Sequence, residues 1–220
     1  MHQISDPSIL YFGTPVVLIS TMNDDSSINL APISSVFWLG WRCMIGLSVF
    51  SKTTENLLRT KEAVLNLPSV FQADGVNKLA RTTGSNPVPE GKKQKGYRYE
   101  ADKFNIAGFT QQPSQLVYPP RVKECPVQME VSLASIHPLG SDNKDVSGKL
   151  ISLELKVLRV YLDSEILLEG HSNRVDPDKW RPLIMSFQHF YGLGSRIGTS
   201  TLAKIPEDLY RSPETPPVLK

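Results

Sequence analysis

Two polar segments of the chain contain the residue types that bind a phosphate group: residues 29–35 (NLAPISS) and residues 51–56 (SKTTEN). A helix that begins near Thr53 would direct its unpaired N–H groups and the positive end of its dipole at such an anion. Lys52 supplies a point charge. The short hydrogen-bond donors of the second segment are Ser51, Thr53 and Asn56. An ordinary capped helix with solvated polar side chains is the alternative that this segment alone leaves open.

The sequence contains no recognisable set of catalytic side chains and no metal-binding cluster. It has no G-x-S-x-G or H-E-x-x-H motif, no Walker A loop, and no G-x-G-x-x-G that opens a βαβ unit. Cys43 and Cys125 have no C-x-x-C partner and no nearby histidine cluster, so we expect both to be structural. We therefore predict no catalytic acid, base or metal ligand. This pattern is typical of proteins whose chemistry is carried out by a bound cofactor.

Strands predominate among the elements that must position the two polar segments. Runs of β-branched and apolar residues predict strands at residues 15–22, 42–50 and 63–67. Residues 127–133 and 151–157 alternate apolar and polar side chains, which predicts a sheet with one buried face. Because a closed or nearly closed barrel removes exposed strand edges, an antiparallel barrel is the expected fold.

Short helices and one irregular region are predicted between the strands. A hydroxyl cap followed by paired leucines predicts that a helix begins within residues 51–58, and residues 69–82 indicate a second, short helix. Residues 83–120, rich in Gly, Pro and Lys, are predicted to be irregular. The turn at 163–164, followed by apolar residues 166–168, indicates a hairpin with the preceding strand.

The first polar segment is expected at the edge of a sheet. Residues 23–27 (NDDSS) predict a turn, because their side chains hydrogen-bond their own backbone. Pro32 has no N–H to donate to a central ladder, so residues 29–38 should form an edge strand or a loop beside a strand.

Composition and charge are those of an ordinary globular protein. Of the 220 residues, 40% are hydrophobic and 21% are charged, and the formal net charge is +2. We expect a single domain over residues 1–220, with its core at about residues 10–200 and an extended, Pro-rich tail after residue 205. The mild positive charge does not indicate a nucleic-acid partner. No basic segment leads into a long apolar run, so we expect no membrane span and a cytoplasmic location.

One dense basic stretch lies within the irregular region. Its residues are Lys92, Lys93, Lys95 and Arg98, set among Gly, Pro and Gln. This pattern favours a solvated loop over a binding patch. Such a loop could still attract a phosphate-bearing cofactor electrostatically.

The order of several segments resembles the flavin-reductase-like, FMN-binding family of flavoredoxin-like split barrels. The segments are PVVLIST, a turn, NLAPISS, a strand, SKTTENL and AVLNL, then KF at 103–104, GFT at 108–110 and PPRVKECPVQME at 119–130. The resemblance covers about residues 10–200, and the order and spacing of the motifs make it specific. It implies a mostly β fold, namely an antiparallel, Greek-key-like, FMN-binding split barrel with short helices.

The resemblance also implies an activity and an assembly. Proteins of this family are oxidoreductases of the flavin reductase type. Electrons pass from NADH or NADPH through FMN to free flavin, a metal ion or a partner protein such as a flavin-dependent monooxygenase. The family members dimerise and hold FMN near the subunit interface, so we expect a homodimer.

Carried onto this sequence, the resemblance implies which residues contact FMN. Those along the isoalloxazine, largely through backbone groups, would be Asn29, Leu30, Ala31 and Pro32. Ser34 and Ser35 would approach the ribityl chain or the phosphate. The phosphate would be held by Ser51, Lys52, Thr53 and Asn56, although many relatives carry Arg in place of Lys52. Tyr191, in HFYGLGSRIG, resembles an aromatic residue close to the flavin, with core packing or a dimer contact as equal alternatives.

Three other interpretations are compatible with the same residues. An FMN-binding electron carrier without NAD(P)H oxidase activity of its own needs the same flavin pocket, and the sequence has no distinct nicotinamide fingerprint. A split-barrel enzyme like pyridoxamine phosphate oxidase is disfavoured because NLAP-x-SS and SKTxxN resemble the reductase branch. A structural barrel with no cofactor would leave the clustered hydroxyls unexplained.

Overall fold

The computed structural model describes residues 1–215 and is dominated by β-strands. In chain order the strands are β1 (Phe12–Pro15), β2 (Val17–Met22), β3 (Ile28–Ile33), β4 (Val36–Leu39), β5 (Arg42–Ser48), β6 (Glu62–Leu67), β7 (Thr82–Thr83), β8 (Arg98–Tyr99), β9 (Gln111–Gln112), β10 (Arg121–Val122), β11 (Val127–Leu139), β12 (Leu150–Leu162), β13 (Ile184–Ser186) and β14 (His189–Tyr191). The α-helices are α1 (Lys52–Thr60), α2 (Ala73–Leu79), α3 (Glu90–Lys93) and α4 (Lys103–Ala107). Short 3-10 helices occupy Val70–Gln72, Ser164–Ile166, Thr201–Lys204 and Glu207–Tyr210.

Seven strands form the main sheet, in the order β3-β2-β6-β11-β12-β5-β4. Every neighbouring pair in this sheet is antiparallel. The 13-residue strands β11 and β12 are paired along their whole length and lie at its centre. Strand β6 pairs with the beginning of β11, and β5 pairs with the beginning of β12. The predicted antiparallel, mostly β fold is therefore confirmed.

A short connection shows that this sheet is curled into a barrel. Strands β3 and β4 are the two edges of the sheet, yet only Ser34 and Ser35 lie between them in the chain. Three peptide steps bring the Cα atoms of Ile33 and Val36 within about 11 Å of each other. In a flat sheet of seven strands the edges would be roughly 29 Å apart, since neighbouring strands are about 4.8 Å apart. The edges meet without pairing in the described chain, which is the split of the barrel.

Strand β2 is buried on both faces and separates two hydrophobic clusters. Val17 and Ile19 point into the barrel, where they pack with residues of β5, β6, β11 and β12. Leu18 points to the outside of the barrel, where a second cluster is closed by residues of α2 and α4. Burial on both faces explains why this strand is continuously apolar and does not alternate.

The predicted strands and the first helix are confirmed, with boundaries that shift by a few residues. The alternating runs are parts of the long strands β11 and β12. Helix α1 begins after Ser51, whose hydroxyl accepts a hydrogen bond from the N–H of Thr54. Pro32 lies in edge strand β3, as its missing N–H requires. The turn before β3 is also present, and Ser26 adopts the left-handed conformation there, with φ at 67°.

The hairpin predicted at residues 163–168 is wrong. Residues Ser164–Ile166 form a 3-10 helix, and Leu167 makes an isolated bridge with Val175. In the described chain the residues that follow β12 do not pair with it, although β5 covers only its first part, Leu150–Lys156. Local turn chemistry indicated a reversal of the chain but not whether the next segment would pair with the strand before it.

Two other regions are more structured than predicted. Residues 83–120 contain α3, α4 and several two-residue strands, and residues 69–82 contain a 3-10 helix as well as α2. Elements of two to five residues are too short for hydrophobic periodicity to reveal. The tail after residue 205 was expected to be extended, but Glu207–Tyr210 is a 3-10 helix. Residues 216–220 of this predicted tail lie outside the described residues.

No helix within residues 1–215 is both long and apolar enough to cross a membrane.

Candidate functional site

A cavity of about 140 Å³ lies between edge strand β3, the beginning of α1 and the segment that runs from β7 to α4. Six of the eleven predicted site residues line it: Asn29, Ala31, Pro32, Ser51, Lys52 and Thr53. The other lining residues are Ile33, Leu47, Leu79, Ala80, Thr82, Thr83, Gly84, Lys92, Tyr97 and Lys103. We call this space the cationic cavity, because three lysines line it and no carboxylate does.

Lys103 is the most unusual residue of the cationic cavity. Its side chain shares the buried face of α4 with Phe104 and Ala107, and the residue is only 3% exposed. Within residues 1–215, no carboxylate lies within ion-pair distance of its ammonium group. Burial first, and the charge of Lys92 second, lower the pKa of Lys103 to about 7. A buried ammonium is costly without a counter-charge, so this cavity is suited to an anion.

A chain of hydrogen bonds holds Lys103 in place through Asn29 of β3. The Lys103 ammonium donates to Asn29 Oδ1 over 2.9 Å. The Asn29 amide in turn donates to Thr53 Oγ1 over 3.1 Å, and it also lies 3.4 Å from Thr21 Oγ1. Asn29 and Thr53 are themselves buried. The chain therefore ties α4, β3 and the first turn of α1 together around the cavity.

The N-terminus of α1 supplies backbone donors to the same cavity. Ser51 caps the helix: its hydroxyl accepts from the N–H of Thr54 over 3.1 Å, and its carbonyl accepts from the N–H of Glu55 over 3.0 Å. The N–H groups of Lys52 and Thr53 come earlier in the helix and have no acceptor within it. Since both residues line the cavity, these N–H groups and the helix dipole favour an anion there.

Lys52 lines the cavity with its stem, but its charge is already paired. The ammonium donates to Glu55 Oε1 over 2.7 Å and to Asp24 Oδ1 over 3.3 Å. The hydrogen bond to Glu55 is the largest of the contributions that raise the pKa of Lys52. The lysine that the sequence predicted as the phosphate cation is therefore partly neutralised, whereas Lys103 has no carboxylate partner in the described chain.

Lys92 is the third cation of the cavity, and it comes from the basic stretch. Its ammonium donates to Thr83 Oγ1 over 3.2 Å and lies 5.8 Å from the centre of the Tyr97 ring. Burial lowers the pKa of Lys92. Lys93, Lys95 and Arg98 are exposed, as the prediction of a solvated loop requires. The prediction is wrong for Lys92, because α3 turns this one lysine inward.

Gly84 allows the walls of the cavity to approach one another closely. A Cβ atom at this position would lie 2.6 Å from Asn29 Oδ1 and 3.2 Å from Lys52 Cγ. The first distance is too short for any side chain, so glycine is required here by packing and not by a left-handed backbone. The close approach fixes the amide oxygen that Lys103 binds.

The remaining five predicted residues do not line the cationic cavity. Leu30 is buried in the second hydrophobic cluster, and Ser34 and Ser35 lie in the connection between β3 and β4. The buried amide of Asn56 donates to Thr21 Oγ1 and Asn23 Oδ1, which fixes the turn before β3. Tyr191 lies in β14, in a separate three-stranded sheet, and is 55% exposed.

Sequence reasoning missed Lys103, Thr83, Gly84 and the inward orientation of Lys92. One signal could have identified Lys103: it occupies the same face of a short helix as Phe104 and Ala107. Lysine is rarely placed on a buried face without a functional reason. The other three residues depend on the path of residues 82–103, which has no periodicity to read.

A curled antiparallel barrel that is open between its edge strands β3 and β4 is a split barrel. The chain belongs to the flavin reductase like domain family, whose family model matches residues 9–194. It is 34% identical over 192 residues to the uncharacterized protein YdfE of Bacillus subtilis strain 168. The matched region covers 87% of this chain and 89% of YdfE.

Two solved structures share the fold. Flavoredoxin of Desulfovibrio vulgaris (Miyazaki F) superposes with a TM-score of 0.72 and 18% identity, over 93% of this chain and 100% of that chain. Nitrilotriacetate monooxygenase component B from Bacillus cereus superposes with a TM-score of 0.67 and 19% identity, over 87% of this chain and 89% of that chain. The fold predicted from the resemblance is therefore confirmed.

The cationic cavity fits the phosphate of a flavin nucleotide. The buried ammonium of Lys103 lacks a carboxylate partner within residues 1–215, and the first N–H groups of α1 border the same space. The same cavity is also lined by the apolar residues Pro32, Ile33 and Leu47. Cationic and apolar lining together match a ligand that carries both a phosphate and an aromatic ring system.

We expect burial of Lys103 to make the stability of the ligand-free protein pH-dependent. Its pKa is about 7 in the folded chain and 10.5 as the ordinary value, so the unfolded chain binds more protons between these values and stability rises with pH. In Lys103→Met this contribution is absent. The excess stability of the variant over the wild type should be largest near pH 6 and should shrink towards about pH 9.

Urea unfolding of both proteins across this pH range measures the difference in the free energy of unfolding. Lys93→Met, which replaces an exposed lysine of α3, is the matched control and should follow the wild-type pH profile. A difference between Lys103→Met and the wild type that stays constant with pH would contradict the assigned cause.

Proposed function

We propose that this chain is a cytoplasmic, FMN-binding oxidoreductase of the flavin reductase type. Membership of the flavin reductase like domain family supports a flavin-related oxidoreductase. The buried Lys103 beside the N-terminus of α1 is the observation that favours a phosphorylated flavin. Both features favour an anion.

The residues of the cationic cavity would hold the two ends of FMN differently. The phosphate would be bound by two ammonium groups and a helix N-terminus. These are the side chains of Lys103 and Lys92 and the N–H groups of Lys52 and Thr53. The ring system would contact the apolar lining residues of the cavity and the backbone of residues 29–32. Bound FMN would supply the redox chemistry, accepting a hydride from a nicotinamide and passing electrons on.

The protein's own contribution would be positioning. No histidine or carboxylate lines the cationic cavity, and its two ammonium groups without a carboxylate partner in the described chain, those of Lys92 and Lys103, would be engaged by the phosphate. Its walls would instead fix the flavin so that a nicotinamide can approach to roughly 3–3.5 Å, the range from which a hydride is transferred. We propose NADH or NADPH as the donor.

The acceptor in this proposal is free flavin, a metal ion or a partner protein. The structural similarity to nitrilotriacetate monooxygenase component B supports the last of these, since that protein is by name one component of a monooxygenase system. A flavin-dependent monooxygenase is thus the partner class that we propose for a protein acceptor.

We also propose that the protein is a homodimer. Edge strand β4 carries Phe37 and Leu39, which are 60% and 80% exposed, and in the described chain its outer edge is unpaired. Exposed apolar side chains on an open strand edge favour association. Binding sites for small molecules and cofactors such as FMN usually occupy about 300–1,000 Å³. The cationic cavity has about 140 Å³, so a second chain would complete the enclosure.

Light scattering during size-exclusion chromatography tests the assembly. We expect a mass twice the 24.5 kDa of one chain. In Leu39→Lys the charge at the open edge should shift this mass towards the monomer, while Leu202→Lys, at an exposed apolar residue of a 3-10 helix, is the control and should leave it unchanged. A wild-type monomer at micromolar concentration would refute the proposed homodimer.

Lys103→Met should weaken FMN binding by about 1.5–3 kcal/mol, roughly ten- to 150-fold, because a charge-assisted hydrogen bond to the phosphate is lost. Quenching of flavin fluorescence measures the dissociation constant. Riboflavin, which has no phosphate, is the ligand control, and its affinity should be the same for variant and wild type. Lys93→Met is the protein control. An equal loss for both ligands would mean that Lys103 shapes the cavity without binding phosphate.

The proposed activity is tested by an absorbance spectrum of the FMN-loaded protein before and after anaerobic addition of NADH or NADPH. Bleaching of the flavin band by one nucleotide is expected and would identify the donor. A flavin spectrum that neither nucleotide bleaches would instead support an electron carrier without NAD(P)H oxidase activity. Absence of FMN binding would overturn the proposed cofactor.

A further inference from the structure

A second cavity adjoins the cationic cavity and has the opposite charge. It measures about 210 Å³ and is lined by three carboxylates, those of Asp24, Asp25 and Glu100. We call it the acidic cavity. Asn29, Lys52 and Gly84 line both cavities and form the wall between them. A ligand group that extends past this wall would leave the cations and enter a space rimmed by carboxylates.

The carboxyl groups of Asp24 and Asp25 in the acidic cavity have lowered pKa values. Hydrogen bonds from Ser27 lower the pKa of Asp25, and a backbone hydrogen bond followed by Lys52 lowers the pKa of Asp24. Asp24 is partly neutralised by its ion pair with Lys52. Asp25 and Glu100 have no cation within ion-pair distance in residues 1–215, although the charge of Lys52 helps to lower the pKa of Asp25 and that of Glu100 raises the pKa of Lys103.

The change from lysines to carboxylates across this wall would affect the binding of FMN and FAD differently. FMN ends in one phosphate monoester, which the cationic cavity accommodates. FAD carries a second phosphate and an adenosine beyond the first, and these would have to pass the shared wall. The acidic cavity offers space for part of this extension, but its carboxylates would repel a second phosphate, because like charges repel one another at short range.

We propose that Asp25 and Glu100 are specificity-determining residues that make the site select FMN over FAD by charge and not by lack of space. The inference rests on the proposed FMN site. Both carboxylates make local hydrogen bonds that an amide can reproduce: Asp25 accepts from Ser27, and Glu100 accepts from the N–H of Asp102. Their charge can therefore be removed with little change in shape.

The test compares dissociation constants for FMN and FAD, measured by flavin fluorescence quenching, in the wild type and in the double variant Asp25→Asn, Glu100→Gln. We expect the wild type to bind FMN at least about tenfold more tightly than FAD. The double variant should tighten FAD binding severalfold and leave FMN binding within about twofold. The matched control is Asp142→Asn, Asp145→Asn, which removes two charges from the exposed turn between β11 and β12 and should preserve the wild-type ratio.

A salt titration of the wild type tests the same inference without any variant. Added salt screens exposed charges, so the preference for FMN should decrease as ionic strength rises. Equal affinity of the wild type for both flavins would overturn the inference, and so would a preference that neither salt nor the double variant changes. Tight FMN binding together with either of these results leaves the proposed function standing, whereas failure to bind either flavin overturns both.

Discussion

The two-residue connection between β3 and β4 is the constraint on which the site depends. These strands are the opposite edges of a seven-stranded sheet, and Ser34 and Ser35 cannot bridge the edges of a flat one. The sheet therefore curls, and the curl brings β3 beside the end of β5 and the start of α1. In the strand order, β3 and β5 are separated by four other strands. The cationic cavity exists because the two edges meet there, and it is lined from both sides by Ala31 and Leu47.

A second constraint is the burial of an ammonium group in a place where the fold does not need one. An apolar residue at position 103 would fit the buried face of α4 at lower cost, since burial disfavours the charged form of lysine. The hydrogen bond to Asn29 satisfies one donor but supplies no counter-charge. The acidic cavity lies just beyond the same wall, yet its carboxylates do not reach Lys103 within ion-pair distance. Lys52 pairs with Asp24 across this wall, whereas Lys103 has no carboxylate within ion-pair distance in the described chain.

The sequence predicted most of the barrel and about half of the site. Strands were accessible because β2, β11 and β12 have apolar runs or alternation that a sheet explains directly. Helix α1 was accessible because Ser51 is a side-chain cap. The hairpin predicted after β12 could not be judged locally, since turn residues indicate that the chain reverses but not whether the next segment pairs with the strand before it. Lys92 and Lys103 come from a region whose elements have two to five residues, and their inward orientation is set by tertiary packing. Asn56 has the right residue type for an anion site, but its amide is used to hold the turn before β3.

The central position of β11 and β12 has a consequence for synthesis on the ribosome. By the end of β6, the chain has produced two fragments of the sheet, β3-β2-β6 and β4-β5, each with one edge that waits for a partner. That partner begins at Val127, 60 residues after Leu67, which corresponds to roughly 3–12 s at ordinary translation rates. During this interval the nascent chain exposes two open β-edges with no native partner yet made. The hairpin of β11 and β12 is thus the last large piece of the barrel to emerge and the one that joins the two fragments.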